Sequence, residues 1–264
     1  MGKITAPCFR ERKQDGDRLA VLTAYDYPSA KILDACDIDA ILVGDSCAMA
    51  VMGRQDTLSM TMDEMLYHVR MVSAAVEHAL VIADMPFMSY QISVEEAVRN
   101  AGRLVAEGGA QAVKLEGPPS IFGDRVRAIL DAGIPVMGQL GLTPQSVHKF
   151  GGFKVQGKKP EQREQILEAA MGLDELGCFG VVLECIPAEL AADVTARLEC
   201  PTIGIGAGHA CDGQVLVMHD ILGWGFTRFT KTYVDVKAAM EKAFKDYVHE
   251  VRTGAFPAEE HAYK

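Results

Sequence analysis

Five short apolar runs in this chain each end on side chains that can do chemistry. VGDS closes one at Asp45 and Ser46, ADMP another at Asp84, and VKLEG a third at Lys114 and Glu116; GQLG follows at Gln139 and VLEC at Glu184. An Asp after an apolar run is ordinarily a helix cap or a turn residue. Turn chemistry favours Asn, Ser and Gly as well, so carboxylates at four of these ends, each behind an apolar lead-in, exceed what turns require. Several carboxylates sharing one pocket cannot all stay ionised without a cation. The histidines fall elsewhere, at 68, 78, 148, 209, 219, 249 and 261. The donors on offer are therefore oxygens, which suit a hard divalent ion such as Mg2+ rather than zinc. Mg2+ held by one or two carboxylates keeps positions open for water and for a bidentate 2-oxo acid.

Lys114 lies two residues before Glu116, so on a strand both side chains share a face. That spacing serves either an ion pair inside a barrel layer or a cation for a substrate carboxylate or enolate oxygen. Glu184 has two readings too. It caps the helix that begins at Pro187, or it removes a proton from a carbon made acidic by a metal-bound carbonyl.

These residues need a frame that brings strand ends together. Apolar runs alternate with longer amphipathic segments along the chain, the pattern of β/α units around a parallel sheet. The expected strands are Leu19–Tyr25, Ala40–Gly44, Leu80–Ala83, Ala112–Leu115, Pro135–Gly138, Gly180–Leu183, Thr202–Gly206 and Val215–His219. Thr61 with Glu64 and Ser93 with Glu96 have the spacing of capping boxes, and Pro187 begins a helix over 187–199. Gly108-Gly109, Gly133 and Gly177 stand where helical patterns stop. Eight strands in about 250 residues indicate a (β/α)8 TIM barrel in preference to an open doubly wound sheet. No composition shift or linker marks a boundary, so 1–264 reads as a single barrel domain. The segment 142–160, LTPQSVHKFGGFKVQGKKP, is the most loop-like and has the length of a lid.

The composition excludes other classes. Across 264 residues, 26 Lys and Arg stand against 36 Asp and Glu, a net charge of -10. That balance gives no footprint for nucleic acid or an anionic membrane. The seven cysteines form no CxxC pair and no regular spacing, which speaks against a disulfide framework or structural zinc, and none has an evident activating His. With a charged N-terminus and no apolar run of membrane length, the expectation is a soluble, cytoplasmic, thiol-reduced protein. The run IGIGAG at 203–208 lacks the early βαβ setting of a dinucleotide loop and reads as close backbone approach at a strand end.

The segments TAYDYPSAK, ILVGDSCAMAVMG, ADMPFMSY, VKLEG, GLTPQSVHKFGGFKVQGK, VLECIP, GIGAG and DGQVLVMHD occur in an order that resembles the ketopantoate hydroxymethyltransferase family from about Leu19 onward. The resemblance implies a TIM barrel of the phosphoenolpyruvate/pyruvate type. It also implies transfer of a one-carbon unit from 5,10-methylenetetrahydrofolate to 3-methyl-2-oxobutanoate, giving 2-dehydropantoate for pantothenate and coenzyme A synthesis through a Mg-stabilised enolate. Carried over, Asp45, Asp84 and Glu116 are the Mg2+ ligands, some through water. Asp45, Ser46, Asp84 and Lys114 bind the oxo acid, Glu184 accepts the proton, and the chain assembles as a homo-oligomer, typically a decamer. Two departures stand out. Gln139 occupies a position where relatives carry His and cannot hold a proton near neutral pH, and Thr227-Arg228-Phe229 replaces a Pro-Lys-Phe run.

The alternatives are another metal-dependent 2-oxo acid lyase of the same barrel group and a non-catalytic barrel that binds a small acid. The central loop supplies no Cys of the kind such lyases use, and all three proposed ligands are present together with Glu184.

Overall fold

The computed structural model describes residues 2–225 and 227–263; Met1, Phe226 and Lys264 of the expected 1–264 span lie outside the described residues. Eight parallel strands close on themselves in sequence order, β1 pairing with β2 and so on until β8 pairs with β1. They are β1 (Leu19–Thr23), β2 (Ala40–Val43), β3 (Leu80–Asp84), β4 (Ala112–Glu116), β5 (Val136–Gly141), β6 (Gly180–Glu184), β7 (Thr202–Ile205) and β8 (Gly213–Leu216). Each expected strand is present. Continuous burial along β2 and β3 explains why they read as apolar runs up to the rim, while β4, equally buried, is interrupted by Lys114.

The last strand is shifted from the expected Val215–His219: it begins two residues earlier and ends at Leu216, with Met218 and His219 in the short helix that follows. Gly213 pairs with Leu19 of β1 and with Ile203 of β7. A side chain there would run into the Leu19 carbonyl oxygen, 2.5 Å from the position of a Cβ. Closure of the barrel thus recruits a glycine and a polar Gln214 that hydropathy leaves outside the strand.

Helices alternate with the strands: α1 (Ala6–Asp15), α2 (Tyr27–Asp34), α3 (Cys47–Ala50), α4 (Met62–Ala75), α5 (Val94–Ala106), α6 (Pro119–Asp131), α7 (Val147–Phe150), α8 (Pro160–Leu176) and α9 (Ala188–Arg197). Thr61 and Glu64 form the reciprocal capping box on α4, with Glu64 N donating to Thr61 Oγ1 and Thr61 N to the Glu64 carboxylate. Ser93 accepts from Glu96 N at α5 without the return bond. Gly177 ends α8 in the left-handed region. The seven cysteines are free. Burial pushes the Cys47 and Cys178 thiols up to about 12, the opposite of an activated nucleophile.

The N-terminal end of the barrel is plugged by α1. Its Ala6 and Phe9 join Leu19, Ala40, Leu80 and Ala112, the residues that start β1 to β4, in one buried cluster. Phe9 meets Phe179 edge-on, with centroids 5.4 Å apart and ring planes at 81°. Around this contact Arg10 pairs with Asp174 at 3.0 Å, Arg12 with Asp39 at 3.2 Å and Lys13 with Asp212 at 3.0 Å. Asp39 and Asp212 also accept backbone N–H groups from Ala20 and Thr202. The short polar helix is therefore held by one aromatic and a ring of ion pairs, and the opposite end of the barrel is left for chemistry.

The chain divides into two compact units, Met1–Val217 and Met218–Lys264. The second holds α10 (Met218–Ile221) and α11 (Val236–Thr253). Asp235 caps α11 by accepting from Ala238 N, and Gly254 ends it in the left-handed region. Met240, Phe244, Tyr247, Val248 and Val251 form an exposed apolar stripe along α11. Among the described residues, no helix is long and apolar enough to cross a membrane.

Candidate active site

Parallel pairing sets neighbouring strands so that the chemical residues come level. Asp84 is the register partner of Lys114, Glu116 of Gln139, and Gly141 of Glu184. Together with Asp45 and Ser46, just beyond β2, they form one group at the C-terminal rim. Asp45, Asp84, Lys114, Glu116 and Gln139 are all buried. Glu184 is half-buried.

Two glycines let this group form. At Gly44 a Cβ would lie 2.8 Å from Ser46 Oγ and 3.3 Å from Asp84 Oδ2, so the VGDS turn can press against β3 only without a side chain. Gly141 has φ 90°, and a Cβ there would sit 2.2 Å from the Glu184 carbonyl oxygen.

The polar contacts run from strand to strand. Asp45 N donates to Asp84 Oδ2 at 3.0 Å. Lys114 Nζ lies 2.7 Å from Asp84 Oδ1 and donates to Gln139 Oε1 at 2.6 Å. The Asp84 oxygen is thus ion-paired with the lysine inside the barrel rim. Gln139 Nε2 donates to Glu184 Oε2 at 2.8 Å and to the Leu142 carbonyl at 3.2 Å. The Glu184 side chain is thus engaged by Gln139, and α9 starts behind Pro187 without a side-chain cap. The ion pair of Lys114 is made with Asp84, its register partner, while Glu116 acts on it through space.

The electrostatics follow from four carboxylates around one ammonium. Burial, with the charge of Asp84, raises Asp45 to about 7 against the pull of Lys114. Burial also raises Glu184 to about 8, with Lys114 opposing and Asp45 and Asp84 adding to the shift. Glu116 is held well above the ordinary carboxylate range by burial and by Asp45. On Lys114, burial works against the charge, but Asp84, Glu116 and Asp45 outweigh it and keep the ammonium above its usual pKa. The cluster lacks positive charge, and that deficit is what a divalent cation would fill. Among the described residues, no three His, Cys, Asp or Glu side chains are grouped tightly enough to enclose a metal by themselves. The donor set fits an ion such as Mg2+, which takes one or two carboxylates and keeps several waters.

Three residues complete the site that their types alone do not single out. Tyr25 Oη is 2.9 Å from Ser46 Oγ, and the Tyr25 carbonyl meets His68 Nδ1 at 2.7 Å. Gln145, within the GLTPQ run, reaches Asp45 and Glu116, and Tyr90, within MPFMSY, reaches Gln145 and the Glu116 backbone. The run that contains each was a visible signal; the contact was not. The loop 142–160 is anchored at both ends, through Leu142 N to the Glu184 carbonyl and through Gln156 N to the Cys185 carbonyl, and exposes Phe153 and Val155 between them.

A family model described as ketopantoate hydroxymethyltransferase matches residues 3–259. A 3-methyl-2-oxobutanoate hydroxymethyltransferase of Pelobacter propionicus is 53% identical over 264 residues, spanning 99% of this chain and 97% of that relative. One of Nitratidesulfovibrio vulgaris is 56% identical over 256 residues, 96% of this chain and 83% of the relative. Among solved structures, a phosphonopyruvate hydrolase in complex with oxalate and Mg2+ superposes with TM-score 0.64 at 11% identity, covering 98% of this chain and 93% of that one. A 2,3-dimethylmalate lyase, a member of the PEP mutase/isocitrate lyase superfamily, gives TM-score 0.63 at 18% identity over 98% and 92%. At those identities the likeness shows the fold.

Proposed function

The chain belongs to the ketopantoate hydroxymethyltransferase family, so its reaction is a hydroxymethyl transfer, and we propose that it carries a one-carbon unit from 5,10-methylenetetrahydrofolate to 3-methyl-2-oxobutanoate, releasing 2-dehydropantoate and tetrahydrofolate. This step supplies pantothenate and coenzyme A synthesis. The observation that carries the reading is the chain of contacts in which Lys114 Nζ touches both Asp84 and Gln139, while the far end of the Gln139 amide holds Glu184. A cation and a high-pKa carboxylate thereby face one space from two sides.

Asp45, Asp84 and Glu116 would hold a divalent ion, Mg2+ or similar, some of them through water, and the ion when bound supplies Lewis acidity at the keto oxygen. A structure of the same fold was solved with Mg2+ and oxalate, a small acid with adjacent oxygens. Asp45, Ser46, Asp84 and Lys114 seat the oxo acid, with Tyr25 fixing the Ser46 hydroxyl. Glu184 takes the proton from the branched carbon. Its pKa, raised to about 8 by burial, matches a base that works near neutral pH. Lys114 stabilises the negative charge that develops on the substrate oxygen; the carbon then bonds to the methylene carbon of the folate, whose two C–N bonds break as a water supplies the hydroxyl oxygen, and the two folate nitrogens take up the proton released from the branched carbon and one from the water. We assign the protein to the cytoplasm, as a homo-oligomer of the decameric kind its family forms; the exposed apolar stripe of α11 supports assembly.

Incubation with Mg2+ and 3-methyl-2-oxobutanoate in deuterated water, without folate, tests the first half of the reaction. The branched carbon is expected to exchange its proton for deuterium, seen by NMR. No exchange in folded, metal-supplied protein would remove the enolisation role.

A further inference from the structure

We propose that Gln145 is a positioning residue that sets the carboxylates of Asp45 and Glu116 for the divalent ion; the inference rests on the metal reading above. Gln145 stands on the short 3-10 turn Pro144–Ser146, yet it is buried, and its contacts reach three strand ends. Its Nε2 donates to Asp45 Oδ2 at 3.0 Å and to the Met85 carbonyl at 2.9 Å. Its Oε1 accepts from Tyr90 Oη at 2.9 Å and Gln91 Nε2 at 3.1 Å. Its backbone N–H donates to Glu116 Oε2 at 3.0 Å.

Two acceptors, Asp45 Oδ2 and the Met85 carbonyl, leave the amide one orientation with its N–H groups toward them, because the flipped amide would set oxygen against oxygen at both. All four hydrogen-bonding positions of the side chain are then filled. The Asp45 oxygen is held by a neutral donor that fixes its direction without neutralising its charge, which remains available to a cation. Glu116 is fixed in the same way by the backbone of the same residue. One residue thus spaces two carboxylates that stand at the ends of different strands and repel each other. Tyr90 supports the arrangement from the other side, since its hydroxyl also accepts from Glu116 N at 3.2 Å. Partners that orient ligating carboxylates are worth about 10- to 100-fold in metal affinity.

The test is Mn2+ binding, read by electron paramagnetic resonance on the full chain, so that it does not depend on turnover. Gln145→Met keeps the volume and the backbone donor to Glu116 while removing both side-chain N–H groups. Its Mn2+ Kd is expected to rise about 10- to 100-fold, with KM for the oxo acid rising more than kcat falls. The thermal midpoint without metal and the increment Mn2+ adds to it are measured together. A residue that only supports the fold would lower the first and leave the second and the Kd unchanged. Tyr90→Phe, a smaller change that keeps the aromatic packing, is measured in parallel and is expected to weaken Mn2+ in the same direction. Asp45→Asn serves as the control. Loss of Mn2+ by Asp45→Asn with wild-type affinity in Gln145→Met, or in Tyr90→Phe should the former fail to fold, overturns the positioning role alone. Wild-type affinity in Asp45→Asn overturns the metal reading beneath it.

Discussion

Gln139 stands between Lys114 and Glu184 and binds both, accepting from the lysine at 2.6 Å and donating to the carboxylate at 2.8 Å. A single amide therefore separates the Lys114 ammonium from the Glu184 carboxylate and keeps them from neutralising each other in a direct pair. It does so without a proton of its own to gain or lose, so among the described residues the fixed positive charge in this part of the site is that of Lys114. Gln139→Leu is expected to slow deuterium exchange about 10- to 100-fold, the equivalent of the ~1.5–3 kcal/mol contributed by a hydrogen bond to a charged group. The exchange rate by NMR, compared with the Kd of the oxo acid, checks it; an unchanged rate in folded protein would show that Glu184 is oriented by other means.

Glu184→Gln keeps the shape of the base and removes its ability to accept a proton. Exchange is expected to fall by at least about 10²- to 10⁴-fold, while calorimetric binding of the oxo acid in the presence of Mg2+ is retained. Exchange at the wild-type rate would take the base role away from Glu184.

The same residue sets a pH dependence. Its carboxyl titrates at about 8 when buried, so as the pH falls through that value it takes up a proton and ceases to be a base. The exchange rate is expected to rise with pH along a limb that ends near 8, and to end lower where added divalent cation stabilises the carboxylates. A rate independent of pH between 6 and 9 would contradict this.

Stability without metal should move the opposite way. Asp45 and Glu184 titrate at about 7 and 8 in the folded chain, against ordinary values of 3.8 and 4.5. Between those limits the folded state binds more protons than the unfolded one, so its stability is fully present below about pH 4 and declines as pH rises toward 8. Each group contributes a slope of at most ~1.4 kcal/mol per pH unit. Urea midpoints in EDTA are expected to fall across this window, and Mg2+ to flatten the slope. A midpoint that climbs with pH in EDTA would disprove it.

Lys114→Met leaves Asp84 buried without its counter-charge. Breaking a buried pair from one side costs ~3–5 kcal/mol, and the oxo acid loses its cation. Both a lower thermal midpoint and loss of oxo-acid binding are expected, the first read by calorimetry and the second by titration with the oxo acid in the presence of Mg2+.

Much of this arrangement was legible in the sequence because a barrel strand buried on both faces is an unbroken apolar run, and the residue that ends it stands at the rim. Asp45, Asp84, Glu116 and Glu184 could be read from that rule. The start of β8 could not, since Gly213 belongs to a strand by virtue of its fit against Leu19 and not its hydropathy. Helix α1 escaped notice because only Ala6 and Phe9 of its ten residues are buried, too few to give a period. Gln145 and Tyr90 were hidden for a different reason. Amides and phenols are common at any surface, and the meeting of Gln145 with Asp45, 100 residues away, exists only once the loop after β5 folds back over the rim.

The plug made by α1 bears on the order of events. Phe9 is seated beneath the strands and three ion pairs hold its helix in place, so that end of the barrel is closed. If the oxo acid binds against Asp84 and Lys114 as proposed, it would enter and leave by the C-terminal rim, ahead of the folate and behind it, and product-inhibition patterns would show that order.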